Sequence, residues 1–118
     1  MDWKNLFLNY DGRSNRKPYW LGSLALGLMQ LAIILVLALM FGLSPDSLGF
    51  DVMEALLSII FLYPAFAITT KRWHDRDKSG WWSLILFVPL VGPIWMLVEC
   101  GFLRGTEGPN RFGPDPLA

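Results

Sequence analysis

Residues 19–43 read YWLGSLALGLMQLAIILVLALMFGL, and this run decides the class of fold. It is 25 residues long and has no charged side chain. As an α-helix it would extend about 37 Å, at about 1.5 Å per residue. The hydrocarbon core of a bilayer is about 30 Å thick, so a helix of this length crosses it with some tilt. The run therefore predicts a membrane-spanning helix.

Two further apolar runs follow, at residues 52–70 and 80–103, and each predicts a membrane helix. Pro64 interrupts the first of them and predicts a kink. The second contains two prolines and a glycine within Pro89–Pro93, which predicts a break in the helix. A bent full span is the simpler expectation, because residues 80–103 are long enough to cross. The alternative is a pair of short helices that turn back to the side they came from.

The two ends of the chain differ from these runs. Residues 1–12 predict a short helix lying in the membrane interface, because large apolar residues recur at the spacing of one helical face. These residues are Trp3, Leu6, Phe7 and Tyr10. Residues 104–118 contain three prolines and predict an irregular tail. The predicted fold is thus an all-α integral membrane protein, a single membrane domain over residues 1–118. It is a bundle of about three transmembrane helices with the third broken, plus the interfacial helix.

Composition and the uneven distribution of charge disfavour a soluble globule, a disordered tail, a coiled coil and a nucleic-acid module. Hydrophobic residues make up 53% of the chain and charged residues 17%, against about 45–50% and about 25% in typical soluble domains. Ten Lys and Arg balance ten Asp and Glu, so no excess of positive charge favours nucleic acid as a partner. The single cysteine, Cys100, cannot form an internal disulfide, and the single histidine, His74, cannot build a metal site alone.

The distribution of basic residues predicts the sidedness of the chain. Four lie before the first apolar run, none in residues 44–54, and four in residues 71–78. Cytoplasmic loops carry the excess of Lys and Arg, so the N-terminus and residues 71–78 are expected in the cytoplasm. Five of the six tryptophans flank these two basic segments, as expected of rings at the headgroup level, and Trp95 is the exception.

Residues 71–78 carry the densest run of charge. His74 with Asp75 and Asp77 has the residue types of a metal site or a general base. Adjacent ligands without a second His or Cys are a weak signal, however, and no activated nucleophile lies nearby. A charge network at the membrane surface is the expected role, with no metal, no cofactor and no catalysis. Gln30, within the first apolar run, predicts a hydrogen bond between helices, and the alternative is that it marks a transport path.

Four motifs together resemble a known family. They are GRSNR at residues 12–16 followed by Tyr19-Trp20, KRWHD at 71–75, SGWW at 79–82, and GTEGPNRFGPDP at 105–116. Their order and spacing resemble the YhaH-like small bacterial inner-membrane proteins, domain-of-unknown-function family 805. The family usually has Arg-Arg-Leu-His-Asp where this chain has Lys71-Arg72-Trp73-His74-Asp75. The resemblance implies a bacterial plasma membrane and an all-helical fold, and it implies no activity.

Function is therefore a hypothesis at this point. The first hypothesis is a non-enzymatic module whose cytoplasmic face binds anionic membrane lipids, an unknown membrane protein or a second copy of the chain. The others are a small oligomeric transporter or channel component, and a membrane enzyme that acts on a lipid-linked substrate. The candidate binding residues form one polar cluster if the third apolar run turns back or the tail folds back. They are Arg13, Arg16, Arg72, His74, Asp75, Asn110, Arg111 and Asp115.

Overall fold

The computed structural model of the chain describes residues 2–117. This part of the chain is mostly helical and contains no β-strand, so the predicted all-α class is confirmed. The elements in chain order are α1 (Trp3–Leu8), α2 (Arg16–Phe41), α3 (Leu48–Asp75), a 3₁₀ helix (Gly80–Phe87), α4 (Val91–Met96) and a π-helical turn (Leu97–Phe102). The tail beyond it is irregular, with one isolated bridge between Asn110 and Gly113.

Helices α2 and α3 are the two elements long and apolar enough to cross a membrane. They contain 26 and 28 residues, which correspond to about 39 and 42 Å at about 1.5 Å per residue. Gly42 ends α2 in the left-handed conformation, with φ 64°, and the Ser47 side chain caps the first turn of α3. Between the two helices, Gln30 Nε2 donates a hydrogen bond to Ser58 Oγ at 3.0 Å. The two helices therefore form an antiparallel pair.

The helix boundaries differ from those expected from the apolar runs. α3 begins before residue 52 and continues past residue 70 to Asp75, and it passes through Pro64 without ending. Lys71 and Arg72 are 2% and 0% exposed, so the first part of the charge run, residues 71–75, is packed helix. α2 occupies Arg16–Phe41 rather than 19–43, and α1 is shorter than residues 1–12.

The third apolar run is not a single helix. The 3₁₀ helix ends at Phe87, and the chain reverses through Pro89 and Leu90, whose φ is 65°. Gly92 then packs against the carbonyl of Ile85, where even a methyl group would overlap the oxygen. Proline lacks the N–H that would continue the helix, so the break lies where the sequence predicts it. We call residues 80–102 the hairpin.

Both ends of the hairpin lie at the same end of the molecule. Gly80, at its start, contacts Thr70 of α3. Near its end, the Cys100 carbonyl accepts a hydrogen bond from Arg72 Nε at 2.6 Å. The expectation of a third full span is therefore wrong. The turned-back alternative describes this segment, because its two legs pack against each other and against the end of α3.

The buried core is confined to the end of the molecule that carries α1, the hairpin and the tail. One cluster joins Leu6, Leu26 and Ile68, from the three α-helices that begin the chain. The other joins Trp73 with Met96 and Cys100 of the hairpin. Most apolar side chains in the parts of α2 and α3 away from this end are exposed. The packed end consequently positions the candidate site.

Candidate functional site

Asp75, the last residue of α3, is the centre of the polar cluster. Its carboxylate accepts hydrogen bonds from Arg72 Nη1 at 2.6 Å and from Arg13 Nε at 3.1 Å. The three side chains are 0–2% exposed. Arg72 lies one helical turn before Asp75, whereas Arg13 comes from the loop between α1 and α2. We call these three residues the junction.

Arg72 connects the junction to the end of the hairpin. Its Nε donates to the Cys100 carbonyl at 2.6 Å, and its Nη2 donates to the Leu103 carbonyl. The last carbonyls of a helix have no partner within the helix, and a cation beside them is favourable. A guanidinium satisfies two such carbonyls and one carboxylate oxygen together because its five N–H groups are arranged as a rigid fork.

Arg13 connects the junction to the tail. Its Nη2 donates to the Thr106 carbonyl at 2.6 Å, and its Nη1 donates to the Gly108 carbonyl at 2.7 Å. The Thr106 N–H in turn donates to the Asp75 carbonyl at 2.6 Å. Gly105 lies so close to the Asp75 carboxylate that a methyl group there would overlap it. The tail is thus held against α3 by hydrogen bonds and by close packing.

His74 connects α3 to both the first loop and the tail. Its Nδ1 lies 2.8 Å from the Gly12 carbonyl oxygen. Its ring is stacked on Phe112, with 3.9 Å between centroids and 4° between planes. Asn110 Nδ2 donates to the His74 carbonyl at 2.9 Å. The motifs at residues 12–16, 71–75 and 105–116 therefore meet in space.

Two of the other predicted site residues belong to the tail. Arg111 Nε donates to Asp77 Oδ1 at 3.1 Å in an exposed ion pair. Asp115 accepts hydrogen bonds from the backbone N–H groups of Leu117 and Gly108, both at 2.9 Å. These bonds lower the pKa of the Asp115 carboxyl below its ordinary value. Arg111 and Asp115 thus hold the tail in shape around the junction without entering it.

Arg16 lies apart from the junction. Its Nη1 donates to the Phe102 carbonyl at 2.9 Å, and the residue is exposed. No carboxylate of residues 2–117 forms an ion pair with it. The structure therefore brings seven of the eight predicted residues together around the end of α3 and leaves Arg16 at the edge.

Sequence reasoning missed two charged residues with packed roles. Lys71 Nζ donates to the Asn5 and Leu6 carbonyls of α1, and so fixes α1 against α3. Glu99 of the hairpin accepts hydrogen bonds from Lys78, from Arg76 and from the Trp95 indole. Lys71 lies in the motif KRWHD, so the sequence held a signal that could have identified it. For Glu99 the only signal was its position near the end of an apolar run.

Tryptophan rings surround the same end of the molecule. Trp82 lies 5.9 Å from Trp73 and 6.0 Å from Trp95, centroid to centroid, and Lys78 Nζ lies 4.8 Å from its ring. Trp20 donates from its indole to the Gly101 carbonyl at 2.8 Å. Trp95, which did not fit a straight span, lies beside Trp82 because the hairpin folds back.

The geometry restricts the chemistry that this site can perform. His74 and Asp75 do not form a dyad, because the imidazole faces Gly12 and the carboxylate faces two arginines. No group of three His, Cys, Asp or Glu side chains within residues 2–117 is arranged to hold a metal ion. The hydrogen-bonding groups of the junction are occupied by one another and by backbone carbonyls, which suits the joining of segments better than the activation of a substrate.

Comparison with known proteins agrees with the motifs. The family model described as "Protein of unknown function (DUF805)" matches residues 7–114. The inner membrane protein YhaH of Escherichia coli (strain K12) is 32% identical, covering 98% of this chain and 97% of YhaH. The inner membrane protein YhaI of the same strain is 36% identical, covering 93% and 87%. No solved structure matches. Since the family model and these relatives cover nearly the whole sequence, this protein belongs to the DUF805 family.

Proposed function

We propose that the chain is a non-enzymatic module of the bacterial inner membrane that binds anionic lipid headgroups at its cytoplasmic face. Two relatives are named as inner membrane proteins. α2 and α3 are long enough to cross a hydrocarbon core of about 30 Å. In this arrangement α2 and α3 span the membrane, α1 lies in its interface, and the hairpin enters and leaves from one side.

The charge distribution supports this orientation. All ten Lys and Arg lie before or at the start of α2, at the end of α3, or around the base of the hairpin and the tail. These places form one end of the molecule, which also carries seven of the ten acidic residues. The loop and first turns at residues 42–54 carry the other three acids and no base. The positive-inside rule therefore favours a cytoplasmic location for both α1 and the tail.

Three exposed cations carry the proposal. Lys4, Arg16 and Lys17 are exposed, and none forms an ion pair with a carboxylate of residues 2–117. By contrast, the donors of Arg13 and Arg72 are occupied by protein oxygens. The arginines of the junction therefore position the face, and the three exposed cations are the groups available to lipid phosphates.

The two other hypotheses find less support in the geometry. Gln30 and Ser58, polar groups within the spans, bond to each other rather than line a path. Asp75 is saturated by two arginines, so it is not available as a base. These contacts favour a binding module over a transporter or an enzyme.

Lipid selectivity tests the proposal. Each basic residue near an anionic leaflet contributes about 1 kcal/mol, so three contribute up to about 3 kcal/mol, on the order of 100-fold. We expect brominated phosphatidylglycerol to quench tryptophan fluorescence more effectively than brominated phosphatidylcholine, and the preference to fall in a variant with Lys4, Arg16 and Lys17 all replaced by Gln. Raised salt should weaken the preference of the wild type.

A matched comparison of the single variants Arg16→Gln and Arg104→Gln, each of which removes one positive charge, separates specific contact from net charge. Arg104 is also exposed, but it pairs with Glu107 at 3.5 Å. Arg104→Gln should therefore leave the lipid preference close to that of the wild type. Equal quenching by the two lipids in the wild type, or an equal loss in Arg16→Gln and Arg104→Gln, would contradict the proposal.

A further inference from the structure

A groove of about 470 Å³ lies beside the junction, between α3, Tyr10 and the start of the hairpin. Phe66, Thr70 and His74 line it from α3, and their spacing of four places them on one face of that helix. His74 is at the end of α3, and Phe66 lies eight residues away, about 12 Å along the axis. The groove therefore runs parallel to α3, from the polar end of the molecule into its apolar part.

The polar end of the groove offers unused hydrogen-bonding groups. The Gly12 carbonyl can only accept, so His74 Nδ1 carries the proton in that bond, and Nε2 of the neutral ring is an acceptor. His74 is 9% exposed, and its Nε2 has no partner among residues 2–117. Ser83, which also lines the groove, has a buried hydroxyl oxygen that lacks a partner in the same part of the chain.

The other end of the groove is apolar. Phe66 and Leu84 line it there, and in the orientation proposed above this end faces the hydrocarbon of the membrane. No Lys, Arg, Asp or Glu among residues 2–117 lines the groove. The nearby Lys71 is directed away, to the carbonyls of α1. The lining therefore suits an uncharged headgroup above an apolar chain, and not a phosphate.

We propose that this groove binds an uncharged glycerolipid with a free hydroxyl, of the diacylglycerol class. The lipid hydroxyl donates to His74 Nε2, and one acyl chain lies along Phe66 and Leu84. A volume of about 470 Å³ is within the usual range of ligand sites, about 300–1,000 Å³, and holds the headgroup and the first part of a chain. The inference uses the membrane orientation of the proposed function, but not its anionic-lipid site.

Binding of 1,2-dioctanoylglycerol to the full-length protein in nanodiscs tests this site. We expect saturable binding of one molecule per chain. Leu84 is 52% exposed, so Leu84→Trp fills the groove from its wall without disturbing the core, and it should weaken binding at least tenfold. Leu86, on the same 3₁₀ helix but outside the groove, is 40% exposed. Leu86→Trp is the matched control and should bind like the wild type.

The headgroup is tested with a second ligand, 1,2-dioctanoyl-3-acetylglycerol, which has no hydroxyl to donate and should bind at least tenfold more weakly. Equal binding by Leu84→Trp and Leu86→Trp, or equal binding of the two ligands, would overturn the proposal. Competition by phosphatidylglycerol at equal concentration would also overturn it, because the site would then recognise an anionic headgroup. Leu84→Trp should keep the anionic-lipid preference of the wild type, so failure of this site and failure of the proposed function give different results.

Discussion

Neutralising Asp75 is the most informative change to the junction. Asp75→Asn keeps the shape of the side chain and removes its charge, which leaves Arg13 and Arg72, 1% and 0% exposed, without a carboxylate. Removing one partner from a buried ion pair costs about 3–5 kcal/mol, because the remaining charge is buried without compensation. At roughly 4 °C per kcal/mol for a domain of this size, the Tm should fall by about 12–20 °C.

Thermal unfolding in detergent, followed by tryptophan fluorescence, measures this loss. The matched control is Asp77→Asn, two residues farther on, whose pair with Arg111 is 44% and 63% exposed. An exposed pair contributes about 0–1 kcal/mol, so this Tm should change by a few degrees at most. If Asp75→Asn is no less stable than Asp77→Asn, the junction does not hold the packed end together, and the reasoning is refuted.

Three further predictions follow from the tail and the hairpin. Gly105→Ala places a methyl group on the Asp75 carboxylate, so limited proteolysis should cut the tail faster than in the wild type. Gly92→Ala forces the hairpin away from the Ile85 carbonyl, and the Tm should fall, as the same thermal scan would record. The pKa of Asp115 is lower in the folded chain than in the unfolded chain. The ionised carboxylate therefore stabilises the docked tail fully above the unfolded pKa of about 3.9. This stabilisation is lost as the pH falls through the pKa of the folded chain. As the pH falls through this range, a protease active in acid should cut the tail faster. The rate of cutting should depend less on pH in Asp115→Asn.

Hydrophobic pattern predicts the two long helices because a helix that crosses lipid requires a long apolar run with few charges, and both α2 and α3 have one. It also predicts the break at Pro89–Pro93. It does not predict on which side the chain leaves the break, because a bent span and a hairpin use the same residues. That choice depends on contacts far apart in sequence, such as Arg72 with the carbonyls of Cys100 and Leu103.

The candidate site shows the same division. Charged residues within the motifs at residues 12–16 and 71–75 identify Arg13, Arg72 and Asp75 as candidates. Their partners include backbone carbonyls and the bare backbone of Gly105, which have no distinguishing residue type. Lys71 was expected at a hydrated surface, but α1 covers it. Whether a charged side chain is buried depends on the other elements that pack over it. The hydropathy of one helix therefore cannot predict that burial.

The central claim is that the hairpin returns the tail to the side of the N-terminus, and labelling with a membrane-impermeant thiol reagent tests it most directly. Cysteines are introduced one at a time in a Cys100→Ala background, as Lys17→Cys, Ser47→Cys and Glu107→Cys. The three positions lie at the start of α2, in the loop between α2 and α3, and in the tail, where Glu107 is 78% exposed. In intact cells whose outer membrane is permeabilised, we predict labelling at position 47 and protection at positions 17 and 107 until the inner membrane is opened. Labelling at 107 together with 47, and protection at 17 alone, would contradict the hairpin and the packed end built on it.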